Sequence, residues 1–161
     1  MTTKPALKNK KPIIVKPINQ RIEQAAWAGL EQKITNIPTD WNFCMKFARR
    51  VVETALGLPD RGFYRLIHGV DANPSAKELE ALIRAQKPSW VVSSPQAGDL
   101  VFWNYLPLEW GHVGVLVTYR NALWVAQNTT ITKLGIDYGG ALQLVKLSEM
   151  QKPTTYIRIA G

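Results

Sequence analysis

The order of hydrophobic patterns along this chain predicts an α+β domain, with helices packed ahead of an antiparallel sheet. Two observations carry that reading. Before Pro88, apolar residues recur at helical spacing. After Pro95 they fall into short runs separated by turn residues, as strands do. With 161 residues, 46% of them apolar, the chain is large enough for one domain with a proper core. It shows no internal repeat and no second domain.

Taken in order, residues 1–19 are rich in Lys and Pro (Pro5, Pro12, Pro17), lack periodicity and are expected to form a basic extended arm. Residues 20–161 are expected to form the single folded domain. Asn19 is the expected cap of a first helix through Ile22, Ala25, Ala26, Trp27, Leu30 and Ile34. Pro38-Thr39-Asp40 breaks it, and Asp40 or Asn42 can cap a second helix that starts at Cys44. Phe47, Val51 and Ala55 form one stripe of that helix, and Ala48, Val52 and Leu56 lie beside it. Gly57 and Pro59 end it. A short helix is expected at Phe63–Ile67. Ser75 and Glu78 form a capping box for another helix through Leu79, Leu82 and Ile83, which Pro88 stops. Strands are expected at Leu100–Trp103, His112–Tyr119, Ala122–Asn128, Ala141–Leu147 and Thr155–Ile159.

Charge and segment composition narrow the function classes. The net charge is +8. Lys4, Lys8, Lys10, Lys11, Lys16 and Arg21 all precede the first acid, Glu23. Such a chain is drawn to polyanions: nucleic acid, anionic lipid or an anionic cell wall. No apolar run approaches the ~18 residues of a membrane span. Met1 to Lys11 lack the apolar core of a signal peptide, so synthesis in the cytoplasm without an export signal is expected. A lone cysteine forms no internal disulfide and builds no zinc site alone, and neither a metal nor a cofactor is expected.

Cys44 is the only cysteine. At a helix start, its thiolate is favoured by free backbone N–H groups and the helix dipole, and a neighbouring imidazolium favours it further. A depressed thiol pKa is therefore expected. The alternative is a small buried hydrophobe. Of the two histidines, His68 sits at the end of a short helix and reads as surface or structural. His112 opens a strand between Gly111 and Gly114, which leave room for another group beside the imidazole. A three-residue hairpin loop at Tyr119–Asn121 would set His112 opposite Asn128, whose amide could then orient the ring. A two-residue loop would set Thr129 opposite instead. Asp99, Gln127 and Thr129 are the other candidates for that third role, although Asp99, after Gly98, also suits a turn.

In this order, the Cys44 helix start, Pro95-x-x-Gly98-Asp99-Leu100-Val101-Phe102-Trp103, Gly111-His112-Val113-Gly114-Val115 and Val125-Ala126-Gln127-Asn128 resemble the NlpC-type and CHAP superfamily. These are papain-like cysteine hydrolases of bacterial cell walls. The resemblance covers about residues 40 to 130. It implies a papain-like fold, with Cys44 attacking an amide of the peptidoglycan peptide, His112 as base and Asn128 as the orienting polar group. Ala126 stands where CHAP domains carry an acid, and Trp124 where NlpC-type members often have a second histidine. Trp41, Trp103, Trp110 and Trp124 bracket the motifs and are candidate groove residues. Asn42 is a candidate oxyanion donor beside the Cys44 N–H. The implied partner is peptidoglycan or another anionic wall polymer, with no obligatory nucleic acid. A phage endolysin or an antibacterial effector, reaching the wall after release or by another export route, fits this reading. Two further readings use the same chain: an inactive binding module or basic adaptor, and an acyltransferase on the same Cys and His.

Overall fold

The computed structural model describes residues 15–104, 109–129 and 135–161. Among these, four α-helices precede all seven strands of an antiparallel sheet, so the α+β class holds. The arm expected at residues 1–19 lies mostly outside the described residues, with Lys4, Lys8, Lys10 and Lys11.

Helix α1 (Ile18–Leu30) starts after Pro17, so Asn19 lies inside it rather than capping it. The helix also stops short of Ile34. Gln32 takes a left-handed φ of 59°, while the N–H groups of Gln32 and Lys33 donate back to Gly29 O and Ala28 O. That closure is usually built on glycine. With glutamine in its place it is hard to see in the sequence. Helix α2 (Cys44–Leu56) starts at the expected residue, but Phe43 holds the cap position and no side chain caps it. Gly57, at φ 67°, ends it. A single helical turn, α3 (Gly62–Arg65), follows. In α4 (Ala76–Gln86) the Ser75 hydroxyl accepts from Glu78 N–H at 3.1 Å, which is the expected cap.

The strands are β1 (Val91–Val92), β2 (Leu100–Trp103), β3 (His112–Tyr119), β4 (Ala122–Asn128), β5 (Ile136–Asp137), β6 (Leu142–Lys146) and β7 (Thr155–Ile157). Their order in the sheet is β1-β7-β2-β3-β4-β6-β5. The short edge strands β1 and β5 carry too few residues for a periodic signal.

Both faces of the sheet are covered. Phe102, Val113, Val115, Val117, Ala126 and Leu144 pack with Ile22, Ala26, Phe47, Ala48 and Val51 of the first two helices. On the other face Val101, Trp103, Leu116 and Val125 form a smaller cluster with Leu123, Leu147, Met150 and Tyr156. β3 is therefore buried for six residues in succession rather than alternating.

Hairpin register decides which residues reach the site. Tyr119 pairs with Ala122 and Val115 with Ala126, so the loop is the two residues Arg120 and Asn121. Both have positive φ (49° and 59°), as a tight two-residue turn requires. The three-residue loop is thus replaced. His112, Gly114 and Leu116 share a face with Val125 and Gln127, while Asn128 points to the opposite face.

Candidate active site

The first turn of α2 and the start of β3 meet in a cleft of about 690 Å³. Cys44, His112, Asn42, Met45, Thr129, Glu78, Glu109 and Trp110 are among its lining residues. The structure thus brings Cys44 and His112 to one cavity from 68 residues apart in the chain (112 − 44).

The loop before α2 is held by Asn128. Its Oδ1 accepts from Phe43 N–H at 3.2 Å, and its Nδ2 donates to Pro38 O and Asp40 O at 3.0 and 2.8 Å. Asn42, one residue earlier, takes a left-handed φ of 70°, a conformation asparagine tolerates well. Asn128 therefore sets the position of Cys44 and does not orient the imidazole. The orienting contact comes from its neighbour: His112 Nε2 lies 2.7 Å from Gln127 Oε1. With the Gln127 carbonyl oxygen facing the ring, which only accepts, the matching tautomer carries its hydrogen on Nε2 and keeps a lone pair on Nδ1.

The ring is fixed from two further sides. Trp103, directly opposite on β2, packs its ring 5.4 Å from the imidazole and donates its Nε1–H to Gln151 O at 2.8 Å. A Cβ on Gly114 would fall 2.4 Å from Val125 Cγ1 and 3.6 Å from the Gln127 Cβ. The space beside the histidine is thus taken by these two side chains. Gly111, at φ 72°, turns the chain into β3 where a Cβ would meet Asn104 Oδ1 at 2.4 Å.

Burial pushes the Cys44 thiol pKa above its ordinary value, and the backbone N–H groups of Val113, Met45 and Cys44 itself oppose this only in part. Burial likewise lowers the pKa of His112, with Gln127 opposing. The depressed thiol expected from the helix start is therefore reversed: desolvation outweighs the N–H groups. Both shifts favour the uncharged forms of thiol and imidazole.

The tryptophans divide. Trp110 is 66% exposed and lies on the cleft wall. Trp41 is also exposed but lines a separate pocket of about 260 Å³ with Asp137 and Gln143. Trp103 is 2% exposed and stands behind the histidine, out of reach of a substrate. Trp124 packs edge-on against Tyr119 at 5.2 Å, near the hairpin turn. Four steps along the strand separate it from Asn128, roughly 13 Å. Neither of these two can bind in the cleft. His68 is exposed, its backbone tied to Gln86. Asp99 also lies outside the cleft, its buried carboxylate paired with the partly exposed Arg158.

Among the described residues no group of three or more His, Cys, Asp or Glu side chains could hold a metal ion, and no helix is long and apolar enough to cross a membrane. No family model, curated protein or solved structure matches the chain.

Proposed function

We propose that the protein is a papain-like cysteine hydrolase that cleaves an amide bond of the peptidoglycan peptide. The observation that carries this reading is the shared cleft of Cys44 and His112, with Gln127 Oε1 holding the imidazole Nε2–H at 2.7 Å. A nucleophile, a base and a group orienting the base are the parts that thiol catalysis needs. Helices packed on an antiparallel sheet, with the cysteine at a helix start and the histidine opening a strand, are compatible with the resemblance to the NlpC-type and CHAP superfamily. The net charge of +8 suits an anionic wall polymer, and the exposed Trp110 offers an apolar surface at the cleft.

In the proposed reaction His112 Nδ1 takes the thiol proton as Cys44 Sγ bonds to the amide carbonyl carbon. The oxyanion of the tetrahedral intermediate is stabilised by the Cys44 N–H, with the Asn42 side chain as the second donor. The C–N bond then breaks, and the amine leaves with the proton from His112. Water, deprotonated by the same imidazole, attacks the thioester. The acid is released and the proton returns to Cys44.

Digestion of purified peptidoglycan tests the reading. New amine and carboxyl termini should appear by mass spectrometry with the wild type and vanish with Cys44→Ala. An unchanged wall would refute the substrate. Cleavage of glycosidic bonds would refute the reaction class.

A further inference from the structure

The hydrogen bond that orients His112 has an unfinished far side. Gln127 is fully buried, and while its Oε1 faces the imidazole, its Nε2 has no hydrogen-bond partner. Directly opposite Gln127 in the β4–β6 ladder stands Gln143, 7% exposed, whose buried Oε1 has no partner either. One orphan is a donor and the other an acceptor. Directly opposed side chains in an antiparallel pair start from Cβ atoms about 5 Å apart and share one face of the sheet. Two glutamines span that separation with a change of side-chain torsion.

We propose that Gln143 is a positioning residue for His112 and acts through Gln127, its Oε1 accepting the Gln127 Nε2–H. The bond decides which end of the Gln127 amide faces the ring. With a carbonyl at position 143 to receive the NH₂ group, Gln127 Oε1 is left facing His112, and the ring must carry its hydrogen on Nε2. A reversed Gln127 amide would present NH₂ to the ring, force the hydrogen onto Nδ1 and remove the lone pair needed for base catalysis. Gln143 therefore sets the tautomer of a ring it does not touch.

The importance of this bond for turnover rests on the reading of His112 as the base, but its test does not. The chain has two histidines, so ¹⁵N imidazole shifts of the full-length protein resolve His112, with exposed His68 as an internal control. The wild type should show His112 with its hydrogen on Nε2. Gln143→Met, nearly isosteric but without the acceptor, should produce a mixture of tautomers, and Gln143→Leu should do the same. Gln143→Glu, which only accepts, should restore the single Nε2–H form. The corresponding kcat should fall on the order of twofold to tenfold in Gln143→Met, with KM unchanged, and recover in Gln143→Glu. A single Nε2–H tautomer in Gln143→Met overturns the proposal whether or not the wall is cleaved. If the tautomers respond but no wall cleavage is found, the relay stands and only the substrate reading falls.

Discussion

A buried polar cluster at Asp99 and another at His112 lie on neighbouring central strands, and they are finished to different degrees. Asp99, just before β2, is fully buried and accepts from Asn19 Nδ2, Gln96 N–H and two nitrogens of Arg158, all at 2.8–2.9 Å. Four donors saturate a carboxylate. This cluster ties α1 to the start of β2 and to the segment after β7. The His112 cluster lies at the other end of β2, beside Trp103. There one bond at 2.7 Å joins His112 to Gln127, the proposed Gln143 contact takes up the far side of the Gln127 amide, and with its hydrogen on Nε2 the imidazole keeps a lone pair on Nδ1. A saturated cluster can only hold the fold together. One that keeps an imidazole lone pair in the cleft that a thiol also lines can react.

Substitutions should separate these roles. The largest effect is expected at the cleft: Cys44→Ala should abolish hydrolysis, and His112→Ala should cost roughly two to four decades in rate, as loss of a general base does. Circular dichroism should report both variants folded. A His68→Ala variant as impaired as His112→Ala would mean the wrong histidine has been assigned.

Asp99→Ala should show the reverse pattern. Leaving Arg158, Asn19 and the Gln96 N–H without their partner should destabilise the fold by about 1–3 kcal/mol, measured by urea unfolding, while each folded molecule keeps its activity. Lost turnover without lost stability would merge the two clusters into one functional unit.

A subtler contrast lies within one dipeptide. Gln127→Leu should lower kcat on the order of tenfold or more, because the imidazole loses its tautomer. Asn128→Ala should instead leave the N–H of Phe43 and two carbonyls unpaired and cost about 1–3 kcal/mol of stability. Comparing kcat with the unfolding midpoint in the two variants checks this division.

Smaller effects follow from pH. The His112 pKa is lowered by burial, so the unfolded state takes up a proton that the native state refuses; stability should fall as pH drops below the ordinary imidazole value. The Cys44 pKa is raised, so the native state keeps a proton that the unfolded state releases, and stability should also fall as pH rises past the ordinary thiol value. Iodoacetamide labelling of Cys44 should titrate above that ordinary value. A midpoint near neutrality would reveal a preformed thiolate–imidazolium pair instead.

Much of this molecule is legible in its sequence. Helical and strand periods give the α+β order, the start of α2, the Ser75 cap and the three central strands to the residue. What stays hidden turns on single residues. Arg120 and Asn121 make a tight turn with an arginine at positive φ, and that one residue of register moves the orienting role from Asn128 to Gln127. Gln32 closes α1 without a glycine. Trp103 and Trp124 bracket the motifs in sequence, yet packing places one behind the histidine and the other at the far end of the sheet. The rise in the thiol pKa depends on burial, which a helix-start argument does not contain.

The central claim is that Cys44 carries the acyl group of a wall peptide. Soluble peptidoglycan fragments mixed with the protein and quenched in acid, followed by peptide mapping, test it directly. A thioester on the Cys44 peptide, matched by release of the corresponding amine, is the expected result. Cleavage that persists in Cys44→Ala would contradict it.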